Sequence, residues 1–116
     1  MKKLTYLAVP YSSPSWIVRE DRFNKVNQVA CKLMQKGELI MSPISHSHPI
    51  AKAGNLPKDW KYWADFCRAN LFACDKVYVL MLDGWEDSVG VQAEIKIATR
   101  MGLKIEYLKF EDFIEW

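Results

Sequence analysis

The 116-residue chain has five glycines, five prolines, no tract of either, no low-complexity segment and no internal repeat. Nothing therefore marks a linker or a repeat array, and a single domain over residues 1–116 is expected. A chain of this length buries roughly two thirds of its unfolded surface, enough for one core. No stretch approaches the roughly 20 apolar residues of a membrane span, so no membrane partner is expected. The apolar run after Met1-Lys2-Lys3 covers only residues 4–9 before Pro10, too short for a secretory signal. Cysteine is scarce: Cys31, Cys67 and Cys74 are odd in number and lack CxxC spacing, which excludes a disulfide framework and a zinc knuckle. They read as thiols of a reducing cytoplasm. An excess of one charge is missing too, with 16 Lys+Arg against 14 Asp+Glu spread along the chain. A nucleic acid polymer is accordingly not an expected partner.

What is present is the make-up of an ordinary globular domain, 50% hydrophobic and 26% charged, which excludes disorder. The period of the apolar residues changes along the chain. Residues 4–9 form a short apolar run closed by Pro10, and Ser12, Ser13, Pro14 and Ser15 mark a loop. From about Glu20, Phe23, Val26, Ala30, Leu33 and Met34 follow helical spacing up to Gly37. Residues 39–41 predict a second strand, and residues 42–57, with Pro43, Pro49, Pro57, His46 and His48, a long functional loop. Asp59 is positioned to cap a helix whose apolar stripe is Trp60, Trp63, Ala64, Cys67 and Leu71. A third strand over 77–82 ends at the Asp83-Gly84 turn, a helix spans 88–101, a strand 105–108, and a terminal helix 110–116.

This alternation predicts an α/β fold with helices on both faces of a small parallel sheet of about four strands, order 2-1-3-4. Ligands of such sheets bind beyond the C-terminal strand ends, which here selects residues 10–15, 42–48 and 83–88. Glu94 is the most informative residue. At about 100° per residue it falls in the middle of an apolar helix face with Val91, Ile97, Ala98 and Met101. A buried carboxylate costs several kcal/mol without a partner, so Glu94 either lines a cavity or is tied to a specific donor. Ser88 and Gly90 open the same helix, and a Ser cap with free amides behind it serves equally as a structural cap or an anion site. His46 and His48 lack a third ligand for a metal and read as substrate contacts or as a cover for the site. Trp60 and Trp63 read as core, and Trp85, on the turn after strand 3, as a stacking platform.

Three segments together, Thr5-Tyr6-Leu7-Ala8-Val9-Pro10-Tyr11, Cys74-Asp75 and Ser88-Val89-Gly90-Val91-Gln92-Ala93-Glu94, resemble the nucleoside 2-deoxyribosyltransferase superfamily. The resemblance implies a flavodoxin-like (Rossmann-like) three-layer fold and a homodimer or higher homo-oligomer. No cofactor or metal is expected. Glu94 would be the nucleophile at C1′ of the sugar, as in a retaining glycosidase. Tyr6 would orient it, and Asp65, although two residues farther from Asp75 than the pattern has it, would help protonate the leaving base. Ser88, where nucleoside-using members carry Asp, matches the nucleotide hydrolases and would accept a 5′-phosphate. Ser12, Ser13 and Arg19 would complete the phosphate contacts, with Tyr11, Trp85, His46 and His48 lining the rest. The chain departs from the pattern at Val9-Pro10, where a small Gly is usual, and in the loop that holds both His residues.

The expectation is therefore a cytoplasmic protein that hydrolyses or transfers the N-glycosidic bond of a nucleoside 5′-monophosphate or related nucleoside. Two alternatives stand beside it. One is a non-catalytic nucleotide-binding or sensing module in which Glu94 holds ribose hydroxyls; the other is a metal-dependent hydrolase using His46, His48 and an acid such as Asp83.

Overall fold

The computed structural model describes residues 3–114. Its order is β1 (Leu4–Ala8), α1 (Trp16–Gln35), β2 (Leu39–Met41), α2 (Pro43–Gly54), α3 (Trp60–Phe72), β3 (Lys76–Leu80), α4 (Val89–Arg100) and β4 (Lys104–Leu108). Short 3-10 turns lie at Trp85–Asp87 and Phe110–Phe113. The four strands form one parallel sheet in the order β2-β1-β3-β4, the expected order, in a flavodoxin-like α/β fold. No helix among the described residues is long and apolar enough to cross a membrane.

Alternation of side chains along β1 divides the core. Leu7 and Val9 join Val26, Val29 and Leu33 of α1, with Tyr78 and Leu80 of β3, on one face. Tyr6 and Ala8 point the other way, into a cluster with Cys67 and Leu71 of α3, Val77 and Val79 of β3, and Val91 and Ala98 of α4. Both faces of β1 and β3 are covered, which is why these strands read as continuous apolar runs. After β1 the chain turns to one side to make β2 and later to the other side to make β3. The crevice of the fold therefore opens beyond the C-terminal ends of β1 and β3.

Three local expectations are corrected. Residues 43–54 of the expected loop are helix α2, with Ser42 at the N-cap, Pro43 in the first turn and Asn55 closing the end at φ 52°. Its buried stripe of Pro43, Ser47, His48 and Ala51 does have helical spacing, but Ser and His supply half of it and carry no hydrophobic signal. Pro49 deletes one amide donor, and its own side chain lies on the exposed side of the helix. Helix α1 starts at Trp16, a turn before the expected Glu20, because Ser15 caps it by accepting from the Val18 amide at 3.4 Å. Trp16, Ile17 and Val18 are exposed, so the first turn shows no apolar periodicity. At the other end, the tail is a 3-10 turn over Phe110–Phe113 that buries Phe113, and the last two residues of the expected 110–116 helix lie outside the described residues.

Arg22, on α1, fastens the two loops that frame the crevice, donating to the Ser12 carbonyl at 3.1 Å and the Asp83 carbonyl at 3.0 Å. Gly84 turns beneath that guanidinium at φ +88°, where an added Cβ would stand 3.0 Å from Arg22 Nη2. Gly84→Ala thus combines backbone strain with a displaced clamp. We expect it to lower stability by more than about 1 kcal/mol, measured as a fall in the urea midpoint with unchanged m-value.

Candidate functional site

The crevice is occupied by a cavity of about 500 Å³. Its floor is the end of β1 and the first two turns of α4, with Leu7, Val9 and Glu94. One wall is α2, with Pro43, Ser47 and His48, and the other is the start of α3, with Asp59, Trp60 and Trp63. The three expected loops are all represented, and the N-terminus of α3 joins them.

Glu94 is 6% exposed and accepts a hydrogen bond from the Tyr6 hydroxyl at its Oε2. Cavity lining and tethering to a donor, posed as alternatives for this carboxyl, are thus both realised. Burial pushes the Glu94 carboxyl from its ordinary 4.5 up to about 8, against the smaller opposing effect of the Tyr6 hydrogen bond. The Tyr6 phenol is itself raised well above 10, first by burial and then by the nearby Glu94 charge. It remains a donor throughout the physiological range. Cys67, beside the same pair, is pushed up to about 12 by burial and by Glu94, and Cys74 to about 11 by burial and by Asp75. Neither thiol offers a thiolate nucleophile at neutral pH.

Ser88 caps α4, its Oγ accepting from the Val91 amide at 3.2 Å. That bond leaves the Val89 and Gly90 amides as the remaining donors of the first turn, and both residues border the cavity. The helix end therefore offers an anion partial positive charge and two N–H groups. Lys58 and Lys61 line the same cavity, but Lys58 spends its ammonium on the Leu56 carbonyl at 3.0 Å and Asn55 Oδ1 at 3.3 Å. Ser12 also lines it, donating to the Lys58 carbonyl and so binding the first loop to the α2–α3 connection.

Several expected residues are elsewhere. Asp65 projects to solvent from the outer face of α3 and pairs with Arg68 at 3.6 Å, because the buried stripe of that helix is Ala64, Cys67 and Leu71. It does not border the cavity. Trp85 is turned by its 3-10 segment against Tyr107 of β4, with ring centres 5.7 Å apart, and is no stacking platform for the cavity. Trp60 and Trp63, read as core, line the cavity instead while packing partly on the α3–α4 cluster. His46 stacks on Phe66 at 5.4 Å, outside the cavity. Arg19 donates to the Ser13 carbonyl, and Ser13 Oγ accepts from the Ser15 amide at 3.2 Å, so both shape the first loop rather than line the cavity. Among the described residues no cluster of three His, Cys, Asp or Glu is arranged to hold a metal, and His46 and His48 do not converge.

Sequence reasoning missed Glu20, Asp59, Asp87 and Ser47. Asp59 and Asp87 line the cavity, and the Asp59 carboxylate, although at the N-cap of α3, makes no capping bond. Ser47 lines the α2 wall, and its buried Oγ has no hydrogen-bond partner. His48, beside it, is buried with both ring nitrogens engaged, by the Tyr11 hydroxyl at 2.5 Å and by Glu20 Oε1 at 2.7 Å. The signal for Ser47 and His48 was their i, i+4 spacing from Pro43 and Ile44. For Glu20 nothing in the sequence pairs it with a residue 28 positions on.

These features define a flavodoxin-like α/β protein whose cavity, at the ends of β1 and β3, is floored by a buried carboxyl and faced by a helix N-terminus. The chain belongs to the family described as Domain of unknown function (DUF1937), whose model matches residues 3–109. Comparison with curated proteins finds no match.

Two outcomes follow from the burial of Glu94 and Ser47. A carboxyl whose folded pKa is raised contributes stability that is complete below its unfolded value and is lost as pH rises through its folded value. From pH 4.5 to about 8 the protein should lose stability, on the order of a few kcal/mol, that Glu94→Gln does not lose. Parallel urea titrations across that range measure the difference, and Tyr6→Phe should extend the loss to higher pH. Ser47→Ala removes an unpartnered buried hydroxyl from a helix interior and should raise stability by about 0.5–1 kcal/mol in the same assay.

Proposed function

We propose that this chain, as a member of the nucleoside 2-deoxyribosyltransferase superfamily, hydrolyses or transfers the N-glycosidic bond of a nucleoside 5′-monophosphate or related nucleoside. Glu94 is the nucleophile. The observation that carries the reading is the Glu94 carboxyl, buried on the cavity floor and hydrogen-bonded by Tyr6 beside a helix N-terminus. An oxygen of Glu94 attacks C1′, the C1′–N bond breaks with its electron pair leaving on the base, and water or a second base resolves the glycosyl ester. The Tyr6 hydrogen bond aims the carboxyl and favours its ionised form. Ser88 and the Val89 and Gly90 amides receive the 5′-phosphate. Trp60 and Trp63 supply apolar faces for the base.

We take the active form as a cytoplasmic homodimer or higher homo-oligomer, in keeping with the exposed apolar side chains of Trp16, Ile17 and Val89 at this end of the molecule. A second reading, nucleotide binding without turnover, is favoured by one observation: Asp65, the acid expected to serve the leaving base, points to solvent.

Incubation with ribo- and deoxynucleoside monophosphates and nucleosides, following free base by chromatography, tests the proposal. The wild type should release base, and Glu94→Gln should release it more than about 10³-fold more slowly. Because Glu94 must be ionised to attack, kcat/KM should rise with pH up to about 8. Absence of release with every compound, alongside thermal stabilisation by a nucleotide, would replace this reading with the binding module.

A further inference from the structure

The leaving base needs a proton, and the α2 wall of the cavity holds an arrangement that can supply one. Tyr11, half-buried after β1, lines the cavity with its hydroxyl against His48 Nδ1. The opposite nitrogen of that ring, Nε2, faces Glu20 Oε1 at 2.7 Å, and Lys52 Nζ donates to the same oxygen at 3.0 Å. Phe23 covers the imidazole, with ring centres 4.5 Å apart. We propose that Tyr11 is the proton donor to the leaving base, with His48 and Glu20 as positioning residues that decide whether its hydroxyl points into the cavity. This assignment rests on the glycosidic-bond reading above.

The direction of each bond follows from the chemistry of the groups. The hydrogen bonds from His48 and Lys52 hold the Glu20 carboxyl below its ordinary value, so it is an acceptor only. The proton between His48 and Glu20 must then sit on Nε2. With a neutral ring Nδ1 is bare, and the Tyr11 O–H points at it, away from the cavity. With an imidazolium, Nδ1–H donates to the Tyr11 oxygen and the phenolic hydrogen is free to face the base. The groups facing this imidazole are Glu20 from α1, Lys52 from α2 and Tyr11 from the first loop, with Arg19 beside Tyr11.

The proton balance closes. As the C1′–N pair leaves on the base, the Tyr11 proton passes to the base nitrogen and the His48 Nδ1 proton passes to the Tyr11 oxygen. His48 is left neutral with Nε2–H still on Glu20. When water cleaves the Glu94 ester, the proton it releases restores Nδ1. In transfer, the incoming base returns its own proton along the same path.

The test uses two substrates that differ only in whether the base needs a proton to leave: guanine against 7-methylguanine nucleotide, or cytosine against 3-methylcytosine nucleotide. A cationic methylated base departs neutral. Tyr11→Phe should lower kcat on the parent substrate by about 10²-fold, with KM changed less than about threefold, and leave the methylated substrate within about threefold of wild type. His48→Gln should show the same selective loss on the parent substrate and leave the methylated substrate within about threefold of wild type. A merely structural role would slow both substrates together. Equal losses on both, or none on either, overturn the role of Tyr11 while Glu94→Gln still silences both. Release of neither base by the wild type overturns the glycosidic-bond reading itself.

Discussion

The Tyr6 hydroxyl and the Glu94 carboxyl meet where β1 and α4 are both covered, and the site depends on that contact. Tyr6 is fully buried in the α3–α4 face of the sheet, so its ring packs as a core residue while its hydroxyl supplies a polar partner to Glu94. Removal from water holds the carboxyl in the range where protonated and ionised forms exchange near neutral pH. An exposed Glu would be a permanent anion, and a buried Glu without a donor would cost the fold several kcal/mol. One hydrogen bond thus reconciles stability with reactivity, and it exists only because a parallel sheet sets the strand end against the helix start.

Around that contact the cavity is asymmetric. The α4 side offers amide donors and a Ser hydroxyl, suited to an anion, and the α3 side offers two indoles. The α2 side carries Ser47 and His48, the latter in the Tyr11–His48–Glu20 chain. Loops that would otherwise drift are fastened by interactions of α1 side chains with backbone: Arg22 to the first and third loops, Arg19 to the first. Such bonds spend the guanidinium groups on geometry, which leaves the α4 N-terminus and Lys61 as positive features around the cavity.

Much of this was legible in the sequence because the relevant signals are local. Apolar runs of five or six residues, helical spacing and Gly-containing turns identified the strands and three main helices, and their alternation led to the parallel order 2-1-3-4. Glu94 stood out because a carboxyl in an apolar stripe breaks its own period, and Ser88 because a cap precedes that stripe. Helix α2 escaped the same logic, since its inward face is built from Pro, Ser and His and its centre contains Pro49. Asp65 and Trp85 were misplaced for a related reason: a rotation of about 100° per residue on α3, or one 3-10 turn after β3, moves a side chain from cavity to solvent or to the next strand.

By itself the sequence determined the fold class, the strand order, the end of the sheet where the cavity opens and the carboxyl on its floor, since each follows from periodicity within a segment. Only the tertiary structure decided which side chains meet there. The pairing of Tyr6 with Glu94 spans 88 positions and that of Glu20 with His48 spans 28, and no local pattern encodes either. Those contacts arise when separate segments are packed against one sheet, where burial rather than spacing sets which polar groups must find each other.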